Sequence, residues 1–281
     1  MADQYKKRSS LISAIAISEL GFALAWTILP LLGGIIESLG GWKTNFYVMA
    51  FMILITLTIC LFFTTETRSK EDRQQATLKE TWLLFVIMFK KPSFLIIPFL
   101  IGFVNLFFIT FVTFGSSVMS TTFKFNSATV GLAIGSLGFC FIIAITINIL
   151  FLKKFNSIKV LFSMSFSFLA LAILQLLFAF LGILNIWTLL IPAILTLVVW
   201  VIMFPHIMSN GLLQYPKNSG TCASHIGFTY FMIAGIGTWI FSKCFSVTFL
   251  GYTEFIFLIA IITILCIICL FRNIKSTNVK A

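Results

Sequence analysis

Apolar residues run along this chain in long blocks separated by short polar connections. The blocks cover residues 11–36, 45–64, 93–114, 128–152, 160–181, 185–209, 219–243 and 251–271. Each is near the ~20 residues that a helix needs to cross the core of a bilayer. Closed membrane barrels show alternating segments of ~10 residues instead, and these are missing. The pattern predicts an all-α polytopic membrane protein with about eight transmembrane helices. The first block, Leu11 to Ile36, is longer than the ~7–15-residue apolar region of a cleaved leader and reads as a span.

One connection differs from the others. Residues 65–92 mix charges at first and then turn amphipathic, with Trp82, Phe85, Val86 and Phe89 at helical spacing. This predicts a cytoplasmic linker whose second half lies along the membrane surface. The chain then divides into a two-helix region (1–64), the linker (65–92), a six-helix bundle (93–271) and a cytoplasmic tail (272–281).

Composition supports lipid as the solvent. Hydrophobic residues make up 60% of the chain and charged residues 10%, and mean hydropathy is +1.10. A soluble domain is nearer a quarter charged, so these charges are too few to cover a water-facing surface. The net charge of +11 is not a nucleic-acid face, because the basic residues sit in connections and build no patch. They report topology. With the N-terminus inside, all of the 19 Lys and Arg except Lys43, Lys124 and Lys243 fall on the inner side. The positive-inside rule therefore predicts a multi-pass protein with both termini in the cytoplasm.

The six cysteines lie mostly within apolar runs and read as small packing residues, Cys266-x-x-Cys269 included. The 34 Phe suit transmembrane helices and carry no assigned role. No nucleophile–base set, metal cluster or phosphate loop is visible, so no enzyme activity, metal or cofactor is expected.

Polar residues inside spans narrow the functional reading. Glu19 is the one carboxylate well within a span, roughly 13 Å in from Ser10 at 1.5 Å per residue. Ionisable groups at such depth are costly and commonly functional, so Glu19 is a proton-coupling candidate; the bland alternative is a neutral, hydrogen-bonded packing residue. His206 is the second candidate, against a satisfied structural histidine. Asn105, Gln175 and Tyr230 must face protein interior and are either cavity-lining or interhelical hydrogen-bonding residues. Gly131 and Gly135, and Gly220, Ser224 and Gly227, form small-residue patterns that allow close helix packing.

Three stretches carry a resemblance. They are Pro30-Leu31-Leu32-Gly33-Gly34 with Gly41-Trp42-Lys43 and Phe46; Phe204-Pro205-His206; and Gly220-Thr221-Cys222-Ala223-Ser224 with Gly227. In this order they resemble the Bcr/CflA (bicyclomycin-resistance) branch of drug:proton antiporters in the major facilitator superfamily. Pro30, Gly33 and Gly34 look like that branch's antiporter motif in its fifth helix. The sequence departs from the pattern at Leu29, at His206 (where the branch has Asn) and in the connection around Lys153–Lys159. Nothing in the chain resembles the family's first four helices. The resemblance thus implies a truncated major-facilitator fold: residues 1–64 as a remnant of the N-terminal bundle and 93–271 as the complete C-terminal one. The implied function is proton-coupled efflux of hydrophobic or cationic drug-like molecules across a lipid bilayer. A separate polypeptide supplying four helices, or a second copy of the chain, would be needed to complete the path. The alternative is an inactive remnant or a non-transporting membrane scaffold.

Overall fold

The computed structural model describes residues 8–63, 77–150, 157–246 and 248–278. Among them are nine α-helices and no strand: α1 (Arg8–Gly40), α2 (Trp42–Phe63), α3 (Leu78–Lys90), α4 (Pro92–Thr121), α5 (Ser127–Leu150), α6 (Ser157–Phe180), α7 (Ile186–Leu212), α8 (Ser219–Cys244) and α9 (Phe249–Asn278).

Seven of these are both long and apolar enough to cross a membrane. The remaining block of the sequence, 219–243 in α8, has the length at 26 residues but not the apolarity, because Gly, Ser, Thr and His crowd its first half. It still packs among the spans. Phe94 meets His225 and Phe114 meets Phe241, so α4 and α8 run parallel, with Leu106 filling the space beside Gly237. The tail expected over 272–281 is helical as far as Asn278, because no Pro or Gly interrupts it. The first half of the 65–92 linker, residues 65–76, lies outside the described residues.

Connections are short where glycine permits. Gly41 alone joins α1 to α2, at φ 75°, and its N–H donates to the Glu37 carbonyl at 2.8 Å. Only glycine takes that left-handed conformation without strain. Gly182, at φ 67°, closes α6 in the same way. Asn185 then caps α7, its side chain accepting from Trp187 and Thr188 N–H at 2.9 Å each.

The core lies between α4, α5, α6, α7, α8 and α9, where Phe94, Phe107, Phe111, Phe168 and Tyr252 are wholly or almost wholly buried. α1 joins this body by packing along α5, the most extensive helix pairing in the molecule. α2 has no buried residue. Its link to α1 includes an Asn45 side-chain amide donating to the Gly33 carbonyl at 3.3 Å.

Candidate functional site

Two features meet on the inner side of α1. The first is a glycine seam with α5. A Cβ at Gly131 would lie 2.5 Å from the Pro30 carbonyl, at Gly34 2.6 Å from the Ser127 carbonyl and at Gly135 2.9 Å from the Thr27 carbonyl. At Gly138 it would lie 2.5 Å from the Thr27 nitrogen. Backbone touches backbone along three turns, and the order of contacts makes the pair antiparallel. In lipid, where no hydrophobic force drives helices together, close approach through small residues is what holds such a pair. Pro30, Gly34, Gly131 and Gly135 therefore belong to one seam, as close-packing residues should. Gly33 points the other way, toward Asn45 of α2. Thr27 and Gly138, not singled out from the sequence, complete the seam.

The second feature is a cavity of about 180 Å³ just beyond that seam. Five helices wall it: α1 with Glu19, Phe22 and Trp26; α4 with Asn105, Phe108 and Ile109; α5 with Gly138 and Phe141; α7 with Leu197, Trp200 and Phe204; α8 with Tyr230 and Phe231. Pro30 lacks the N–H that would bond the Trp26 carbonyl, so α1 is free to bend at this wall.

The cavity is an aromatic box with few polar groups. Trp26 meets Phe108 at 4.7 Å edge to face. Phe141 stacks on Trp200 at 5.5 Å, and Trp200 packs on Phe204 at 5.3 Å. Within this lining, Glu19 is the only residue that carries a formal charge. Asn105 Nδ2 and Trp200 Nε1 are buried donors with no partner among the described residues. A carboxyl and two unused donors in an apolar pocket are the few convergent polar groups that mark a ligand site.

The sequence candidates thus separate. Glu19, Asn105 and Tyr230 converge on the cavity. Gln175 does not line it; it is buried on α6 near Tyr252 of α9. His206 is also outside the lining, wholly buried with its Nδ1 3.0 Å from the Ser157 hydroxyl of α6. Among the described residues, nothing packs closely on the expected stripe of α8. Gly220 and Gly227 have open space around them, and Ser224 is exposed, donating to its own helix at the Gly220 carbonyl, 3.0 Å. The reason is geometric: α8 meets α4 through Gly237 and the His225 side, a different face.

The chain matches the family model of the Major Facilitator Superfamily over residues 1–238. It belongs to that superfamily. No curated protein matches it. As a major-facilitator protein it is a multi-pass membrane transporter, and a central cavity walled by opposed helices is where such folds hold their cargo.

Asn148 is a further residue that sequence reasoning passed over. It is wholly buried on α5, and its amide donates to the Val201 and Ile202 carbonyls of α7 at 3.4 and 3.2 Å. Pro205 has no N–H to offer Val201, four residues back, so Asn148 supplies from another helix the donor that α7 lacks. The sequence shows an Asn within one apolar block and a Pro within another, but nothing local pairs the two.

Proposed function

We propose that this major-facilitator chain forms the cargo site of a proton-coupled exporter of hydrophobic or cationic drug-like molecules. The observation that carries this reading is the lone carboxyl of Glu19 within an aromatic cavity. π faces attract organic cations, by about 0.5–2 kcal/mol per contact according to solvent exclusion. The ionised carboxylate supplies the countercharge, and no charged partner faces it among the described residues. A proton and a cationic cargo then compete for the same oxygen atoms. Proton uptake at Glu19 removes the countercharge and releases the cargo, while cargo binding displaces the proton. That competition is the minimum device for antiport. Asn105 and Tyr230 orient polar groups of the cargo.

In this reading Glu19 is the coupling residue, and His206 holds α6 to α7 through Ser157. Both termini face the cytoplasm of an inner membrane. The exposed face of α1, with Leu24, Ile28 and Leu29, and the unburied α2 receive further helices that close the other side of the path.

The test is accumulation of a fluorescent lipophilic cation in a pump-deficient host producing the chain with its partner helices. Export dissipated by a protonophore is expected. Glu19→Gln should lower export of the cation at least tenfold while leaving membrane insertion unchanged. Full proton-driven export by Glu19→Gln would remove Glu19 from the mechanism, and no export by the complete assembly would remove the exporter reading.

A further inference from the structure

The short helix α3 has features that transport does not use. A capping box fixes its start: the Glu80 N–H donates to Thr77 Oγ1 and the Thr77 N–H to Glu80 Oε2, each at 3.2 Å. The Glu80 carboxylate is thereby engaged at the helix N-terminus.

One face of α3 seats on the bundle. Met88 is wholly buried, and the rings of Phe85 and Phe89 lie 4.7 and 4.2 Å from the His225 imidazole. His225 is six residues into α8, roughly 9 Å from its start at 1.5 Å per residue. A 26-residue span is about 39 Å long against a bilayer core of ~30 Å. α3 therefore lies alongside the second turn of α8, at the level where headgroups give way to acyl chains.

The other face has no protein cover among the described residues. Leu78 is 91% exposed, Trp82 68%, Leu83 57% and Ile87 47%. Four large apolar side chains on a 13-residue helix at that level require a solvent other than water. Lys79 and Lys90 are exposed and, eleven residues apart, fall within about 20° of each other around the helix at 100° per residue. Lys91 follows and anchors the corner, its Nζ 5.3 Å from the centre of the Tyr215 ring. Lys79 and Lys90 both lie within the arc spanned by Leu78, Trp82, Leu83 and Ile87, one at each end of the helix. Their aliphatic stems run along the apolar face and carry the ammonium groups toward headgroups. Glu80, the one acidic side chain of α3, is held at the cap.

We infer that α3 is a membrane-interface helix that beds Leu78, Trp82, Leu83 and Ile87 at the headgroup–acyl boundary and draws anionic lipid headgroups to Lys79 and Lys90. Apolar burial and charge attraction act together in such helices, and lysines near an anionic leaflet enrich it locally.

The test uses the whole chain in vesicles of phosphatidylcholine with phosphatidylglycerol. Trp82 emission is isolated as the difference between the native protein and Trp82→Phe. Lipids brominated at shallow acyl positions should quench this component more than lipids brominated near the chain ends, and aqueous iodide should barely quench it. Brominated phosphatidylglycerol should quench it at least twofold more than brominated phosphatidylcholine at equal mole fraction, and Lys79→Gln with Lys90→Gln should abolish that preference. Iodide quenching without bromolipid quenching, as for a face in water, would overturn the inference, as would loss of both under a protein partner. Equal quenching by the two headgroups in the native protein would overturn the anionic assignment.

Discussion

α1 and α2 are neighbours in sequence, both apolar and both long enough to span, yet they have opposite fates. α1 lies against α5 along a seam of Gly34, Gly131, Gly135 and Gly138. α2 buries nothing. Apolarity separates neither helix from lipid, because acyl chains solvate Leu and Ile as well as a protein interior does. What distinguishes α1 is a backbone that another backbone can touch, so that dispersion contacts and carbonyl proximity replace the missing hydrophobic drive. α2 carries Phe51, Ile53, Leu54 and Phe62 outward and has no glycine at all.

This contrast can be broken most forcefully at Gly138. Gly138→Ala places a methyl group against the Thr27 backbone and should cost about 2–3 kcal/mol, or prevent assembly of α1 on α5. Chemical unfolding of the purified protein in mild detergent reads that loss. An unchanged unfolding midpoint would mean that the seam is looser than its geometry.

Asn148→Leu should come next. It leaves the Val201 and Ile202 carbonyls without a side-chain donor at a cost of about 1–2 kcal/mol. The same change in a Pro205→Ala background should cost clearly less, because the restored N–H of residue 205 reaches Val201. Equal costs in the two backgrounds of this double-mutant cycle would show that Asn148 does not answer for the proline.

Gly227→Ala should have the opposite sign to Gly138→Ala. Open space surrounds Gly227, and alanine there gains up to about 1 kcal/mol of helix propensity. A loss instead would reveal a partner helix on that face of α8. The smallest effect belongs to α2. Leu54, 60% exposed, should tolerate Leu54→Ala within about 0.5 kcal/mol when the chain is alone. If the change becomes costly once partner helices are co-produced, the face of α2 is the docking surface assigned to it above.

Part of this arrangement is legible in the chain itself, and the parts that are not share a common cause. Glu19, Asn105 and Tyr230 stood out as polar residues in spans, and the cavity gathers all three. Gln175 stood out equally and lies elsewhere, because a span's polar residue must face protein but nothing local says which neighbour. Gly131-x-x-x-Gly135 and Gly220-x-x-x-Ser224 look alike as strings. Among the described residues, only the first has a backbone opposite it. Trp26, Trp200 and Phe141 were hidden among many aromatics, and Asn148 was invisible without knowing that it faces the carbonyl released by Pro205.

By itself, the sequence determined the solvent, the helical class and the limits of most spans. These depend on window hydropathy and on local backbone preference, which act over one helix length. The tertiary structure alone decided which helix faces touch, which polar groups share a cavity and which small-residue motif becomes a seam. In lipid those choices rest on shape matching between segments far apart in the chain, and no local pattern encodes the shape of the other side.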